Sequence, residues 1–414
     1  MSLPWMMALL LALAQEVDSI PVSDNDWPWW RGPRRDGSAN ASQKPPTTWS
    51  AEENIVWKAP VPGRGHGSPT VFGTRVYLAA CDEASGNQSV LCYDRADGKQ
   101  VWEAEVHRGG AMRKNAKSTG ASTTPACDGE RIFITFPNKD AVTTTALGLD
   151  GKILWQTKIS EYVIHQGYGS SPCLYRSLVL VSADHSGGGA VAALDRKTGA
   201  IVWKHERPKA PNYSSPVVLN IGGRDQLILT GCDLVSSFEP LTGKPLWEIP
   251  GATTECVTST VTDGTHVFSS GGYPRNHLAA IRADGTGKIA WETKDRVYVP
   301  SLLIREGHLY GVRDDGMAMC WASDTGKELW KERLGGTFSA SPTLVGDRVY
   351  ATNEAGESFV FQASPEKFTK IGSSKLGNEV LATPAICGGR IYMRVAQKAD
   401  GKRQEMLYCL GERP

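Results

Sequence analysis

The nine cysteines of this 414-residue chain include no CxxC pair, no CxxCH and no two neighbours, and the sequence has no HExxH, GxSxG or Walker-type glycine loop. Those absences exclude the usual cysteine-ligated metal sites, covalent haem, zinc hydrolysis, acyl transfer from an elbow serine, and phosphate cradling. An excess of charge is lacking too. Lys and Arg number 45 against 44 Asp and Glu, a net of +1, so no global field draws the chain to nucleic acid or to an anionic membrane surface. The eight histidines are scattered. Helical periodicity of useful length is missing, and the apolar run from Pro4 to Ala14 is too short to span a bilayer.

What the chain does have is a repeat of about 40 residues, the mark of one supersecondary unit stacked many times. A turn ending in Gly, often followed by Lys, precedes a Trp: DGKQVW ends at Trp102, DGKILW at Trp155, TGAIVW at Trp203, TGKPLW at Trp247, TGKIAW at Trp291 and TGKELW at Trp330. In register with these run Ser68-Pro69, Thr124-Pro125, Ser171-Pro172, Ser215-Pro216, Ser341-Pro342 and Thr383-Pro384, with Ser259-Thr260 and Pro300-Ser301 in the two gaps, making eight starts. Each start leads into an apolar run, a turn, a β-branched and aromatic run such as RVYLAA or LVLVSA, a third run such as VLCYD or AVAALD, and the Trp run. Short strands with turns at this spacing predict an all-β fold, an eight-bladed β-propeller of four-stranded antiparallel blades. The Trp and aliphatic residues then pack between blades, because one small sheet cannot bury both faces alone, and the Gly supplies positive φ ahead of the Trp strand.

The two ends of the chain fit closure. The eighth start lacks a Trp strand, while NIVWKAPV around Trp57 is an orphan strand of that kind, so residues 54–60 are expected to complete the last blade and leave no large exposed sheet edge. The seventh unit is degenerate, with Phe368 read in the Trp place. Residues 1–14 read as an export signal, with the small-x-small pattern Ala12-Leu13-Ala14 at its end, residues 15–53 as a leader, and residues 54–414 as the propeller. The cysteines allow two readings: a cross-strand disulfide between Cys81 and Cys92 after export, or small buried apolar residues, which their strand positions favour.

The repeated T/D-G-K-x-x-W element, the Ser-Pro starts and the closing strand resemble the pyrroloquinoline quinone (PQQ) repeat propellers. That superfamily includes quinoprotein alcohol dehydrogenases and the lipoprotein of the outer-membrane barrel-assembly machinery. The segment WPWWRGPRRDGSA from Trp27 to Ala39 is similar to one in exported PQQ-like propellers of planctomycete-type bacteria. The dehydrogenase resemblance implies PQQ between a Trp and a disulfide of adjacent cysteines, with Ca²⁺ and an Asp base. No adjacent cysteines exist here and no residue can be matched to those calcium ligands. The assembly-machinery resemblance implies docking without catalysis, although those relatives carry a lipid anchor on a Cys at the signal cleavage site and the first Cys here is Cys81.

In a propeller, the loops leading into the innermost strands and the turns joining the second and third strands surround one mouth of the central channel. The longest such loop, HRGGAMRKNAKSTGAS, brings Arg108, Arg113, Lys114, Asn115 and Lys117. The same face is expected to carry Arg64, His66, His165, Tyr168, Asp184, His185, Asn212, Tyr213 and Tyr298. Such a funnel suits an acidic ligand, a sugar or a peptide. The reading is an exported, monomeric, non-catalytic binding module of the periplasm or cell envelope, without cofactor. Its partner is an envelope protein, a peptide or an acidic or sugar ligand, and the competing reading is a PQQ- and calcium-dependent oxidoreductase.

Overall fold

The computed structural model describes residues 19–112 and 115–412; the expected signal, residues 1–14, lies outside them. Among the described residues there is no helix, and 32 strands form eight four-stranded antiparallel sheets. The eighth sheet joins Ala385–Cys387, Arg390–Ala399 and Lys402–Leu410 to Ile55–Val61, the strand from the other end of the chain. Trp57 pairs with Cys409 and Val61 with Glu405 across that closure. The eight-bladed ring read from the repeats is therefore the fold.

The Gly-to-Trp spacing has a second cause besides the turn. Gly98 has φ 75°, and a Cβ built on it would come within 2.4 Å of the Trp57 ring in the preceding blade. Gly151 meets Trp102, Gly199 meets Trp155, Gly243 meets Trp203 and Gly326 meets Trp291 in the same way. Each indole N–H then donates to a carbonyl just ahead of that glycine, Trp57 to Arg95 at 3.0 Å and Trp203 to Pro240 at 3.0 Å. The repeat thus encodes a latch between neighbours as well as a turn within one blade.

The seventh blade corrects one expectation. Its register pairs Val360 with Gly372 where other blades pair a Trp, and Phe368 lies ahead of the strand, its ring 5.8 Å from Trp330 of the sixth blade. Phe368 therefore receives a Trp and does not replace one. The missing indole comes from the leader. Trp49 is buried, its amide donates to Ser374 Oγ at 2.8 Å, and it joins the apolar cluster of Val360, Tyr350 and Ile386. A side chain on Gly372 would strike the Thr47 carbonyl at 2.3 Å, so glycine there makes room for the leader.

At the innermost strands the Ser-Pro starts link blades into a belt. Ser68 donates its amide to Thr124 Oγ1, Thr124 to Ser171 Oγ, Ser171 to Ser215 Oγ, Ser259 to Ser301 Oγ, Ser301 to Ser341 Oγ and Ser341 to Thr383 Oγ1, all at 2.9–3.0 Å. Between Ser215 and Ser259 the Ser259 hydroxyl instead accepts the Trp30 indole N–H at 2.8 Å. At the seam between the eighth and first blades, Ser68 Oγ is buried without a hydrogen-bond partner among the described residues.

Trp30 belongs to a leader segment that straps the propeller together. Trp27 bridges to Val71 of the first blade and Ser38 to Leu344 of the seventh. The Arg31 guanidinium, 1% exposed, donates to the carbonyls of Leu302, Pro342 and Asp36, and Arg35 donates to Leu174 O. The two terminal nitrogens of Arg31 thus spend their bonds on backbone carbonyls, while its Nε is buried without an acceptor among the described residues.

All nine cysteines are buried, and none is joined in a disulfide. Register puts Cys92 opposite Tyr77 and Cys81 opposite Gln88, so the cross-strand disulfide does not form and the cysteines act as small core residues.

Trp203 is 8% exposed while its neighbour Val202 is 51% exposed. Trp203→Ala should therefore lower stability in urea by about 3–5 kcal/mol, and Val202→Ala should stay within about 0.5 kcal/mol of the parent. Deleting residues 1–61 should expose the edge of Lys402–Leu410 and give an aggregating product by size-exclusion chromatography; a soluble, cooperatively folded monomer would contradict closure by that strand.

Candidate functional site

The loops leading into the inner strands enclose a cavity of about 630 Å³ on the channel axis. Its lining includes Trp30 of the strap and the belt residues Thr124, Ser171, Ser215, Ser341 and Thr383. Because the leader packs against the inner strands, Trp30 joins the belt residues in the lining of this funnel.

One wall is built by the third to sixth blades. The Tyr213 hydroxyl lies 3.0 Å from His165 Nδ1, which lies 3.5 Å from Glu255 Oε1, and the Tyr298 hydroxyl donates to Glu255 Oε2 at 3.4 Å. Glu255 is held by a bridge to Tyr273. Beside it, Asp314 accepts the backbone amides of Tyr298 at 2.9 Å and Val299 at 3.2 Å. Burial pushes the carboxyls of both Glu255 and Asp314 above the usual carboxylate range, a shift that His165 and Tyr298 reduce at Glu255 and backbone hydrogen bonds reduce at Asp314. Opposite, Lys117 reaches from the long loop to Glu354 of the seventh blade at 2.9 Å, and Ser339 also donates to that carboxylate.

Of the residues expected at this mouth, His66, Asn115, Lys117, His165, Tyr168, Tyr213 and Tyr298 line the funnel. Several of them serve the fold. Tyr168 is buried and donates to Ser182 O at 2.6 Å. His66 is pushed down to about 3 by burial, with Arg64, Arg394 and Arg403 adding to the shift, so its ring is neutral in any physiological medium.

Others lie elsewhere. Arg64 turns into a groove between the first and eighth blades, 3.3 Å from Glu83. Asp184 is buried against Arg207 at 3.1 Å and receives Asn212 Nδ2 at 3.0 Å, so Asp184 and Asn212 form a closed polar core between blades. His185 is fixed by the amides of Val163 and Gly187. Arg108 is exposed and paired with Glu105 at 2.9 Å. Arg113 and Lys114 lie outside the described residues. The expected excess of positive charge is accordingly not found among the described lining residues, where Glu255, Asp314 and Glu354 face Lys117 and Arg296.

Asp314 and Glu354 had a signal that the sequence reading passed over, whereas Glu255 sits in the loop leading into the fifth blade, which carries no such mark. Asp314 and Glu354 occupy, in the sixth and seventh blades, the turn between second and third strands from which Asp184 was drawn in the third. Repeat position named the turn; only packing tells which of its acids is covered by an arginine.

Known proteins share this architecture. The outer membrane protein assembly factor BamB of Burkholderia pseudomallei is 25% identical over 354 residues, covering 81% of this chain and 84% of that one. Among solved structures, BamB from Moraxella catarrhalis superposes with a TM-score of 0.61 at 15% identity over 86% of this chain and 97% of its own. The quinohemoprotein alcohol dehydrogenase of Comamonas testosteroni gives 0.68 at 13% identity, covering 97% of this chain and 83% of its own. At those identities the superpositions establish the fold and leave activity aside. The profile described as outer membrane protein assembly factor BamB matches residues 47–113, 86–332 and 302–367, which together span most of the ring, and the chain belongs to that family of PQQ-repeat propellers.

Proposed function

We propose that this protein is an exported, non-catalytic binding module of the cell envelope that engages its partner at the mouth of the funnel. The observation that carries this reading is the funnel itself: a deep cavity whose wall keeps Glu255, only 5% exposed, among Tyr213, Tyr298 and His165. Buried ionisable groups converging in a concavity are kept at a cost to stability and mark sites of recognition more often than packing. The relatives named as outer membrane assembly factors support an envelope location, as does the apolar segment ending at Ala14.

The quinone-dependent alternative fits the residues poorly. The cofactor is itself a carboxylate-bearing anion, whereas the buried charges facing the funnel are Glu255 and Asp314. Among the described residues no three His, Cys, Asp or Glu side chains converge as metal ligands, and no two cysteines are adjacent.

A photo-cross-linking residue placed at Gln166, on the funnel lining, should give a discrete adduct in the envelope fraction of the native host, and one at Val202 on the outer rim should give none. Adducts only from position 202, or a protein confined to the cytosol, would overturn the reading.

Glu255 should also leave a mark on stability. Its folded pKa is raised, so the protonated form contributes stability that is fully present below the unfolded value of about 4.3 and is lost as pH rises through the folded value. Glu255→Gln should therefore raise the melting temperature at pH 7 relative to the parent, and the advantage should vanish near pH 4. A melting temperature that is unchanged or lower at pH 7 would show that the carboxylate is not held at a cost.

A further inference from the structure

We propose that the funnel's ligand presents a protonated primary amine, seated at the Glu255 carboxylate between Tyr213 and Tyr298; this rests on the reading of the funnel as the recognition site and adds its chemistry. Glu255 has a side chain 7% exposed, yet among the described residues its carboxylate has no Lys or Arg within ion-pair reach. Its two contacts, His165 at 3.5 Å and Tyr298 at 3.4 Å, are at the long limit for hydrogen bonds. Elsewhere in this protein buried carboxylates are answered by arginine: Asp184 by Arg207 at 3.1 Å, and Glu405 by both Arg394 and Arg403. Glu255 differs from these in having no such partner among the described residues, and it opens on the cavity.

The surroundings specify the cation. An ammonium is compact and carries three donors, which the Glu255 oxygens and the Tyr298 and Tyr213 hydroxyls can accept. Tyrosine faces add attraction for a cation once water is displaced. A cavity of about 630 Å³ has room for the chain behind the ammonium. An anion gains little there, because the cations on the described lining, Lys117 and Arg296, already face Glu354 and Asp314.

Two sources carry this chemistry, a free polyamine and a lysine side chain of a peptide. Calorimetry on the purified full chain with cadaverine and with a blocked Ala-Ala-Lys-Ala tetrapeptide separates them. Cadaverine binding alone identifies a free amine, and tetrapeptide binding identifies a protein-borne lysine. In either case Glu255→Gln should weaken the dissociation constant by about tenfold or more, and added salt should weaken the parent. The same peptide with Nε-acetyl-lysine needs no variant and should not bind. Absence of binding by both amines, equal binding of the acetylated peptide, or an undiminished affinity in folded Glu255→Gln overturns the proposal. If position 166 still cross-links an envelope partner while neither amine binds, the ligand chemistry fails and the wider reading stands; loss of both fails both.

Discussion

Everything in this molecule depends on the indole that one blade lays across the next. A four-stranded blade is too small to bury both its faces, so it is stable only between neighbours. The Trp57, Trp102, Trp155, Trp203 and Trp291 rings each lie on a glycine of the following blade that no side chain could replace. Two requirements meet at that glycine, the left-handed turn of its own hairpin and the space for the preceding Trp. That coincidence is why the Gly-to-Trp spacing is so regular. The fifth-blade contact varies it: Trp247 donates to Gln226, and Ile249 covers Gly287.

The latch also explains how far the sequence could be read. Blade number, strand order and the closing strand follow from counting repeats, because each repeat must supply both halves of a latch. The seventh blade resisted the same logic. An aromatic at Phe368 looked like the absent Trp, but register is fixed by hydrogen bonding and places Gly372 there. The substitute, Trp49, is more than 300 residues away in sequence, and no local pattern announces it. Trp49 repeats the indole's volume without its hydrogen bond, since its Nε1 has no acceptor among the described residues.

The candidate site was legible as a place and less so as chemistry. Loops at one mouth of the ring were identifiable from repeat position, and seven of the named residues do line the funnel. Charge was the harder quantity. Asp184, Asp314 and Glu354 look equivalent in the sequence, yet Asp184 is closed off by Arg207 and Asn212 from the following loop, whereas Asp314, 3.9 Å from Arg296, and Glu354, paired with Lys117, line the funnel. A count of loop arginines and lysines suggests a basic mouth; Arg113 and Lys114 lie outside the described residues, and among the described ones Lys117 and Arg108 are ion-paired and Arg64 turns into a neighbouring groove, so that part of the wall carries Glu255 and Asp314 as its buried charges. Net field depends on which charges lose water, and that is decided by packing.

The composite eighth blade has a consequence for the order in which the chain can assemble. Ile55–Val61 is made early but finds its partner only in Lys402–Leu410, near the end. Seven blades can form as they emerge, each from local hairpins; the last requires the two ends of the chain to meet across more than 340 residues. Until then the strand at Ile55–Val61 is an unpaired apolar segment, and its Trp57 has no blade behind it. A chain crossing a membrane end first would hold that segment in waiting longest, so the stage most open to capture by a chaperone, or by another copy of the same strand, is the interval before residue 410 arrives.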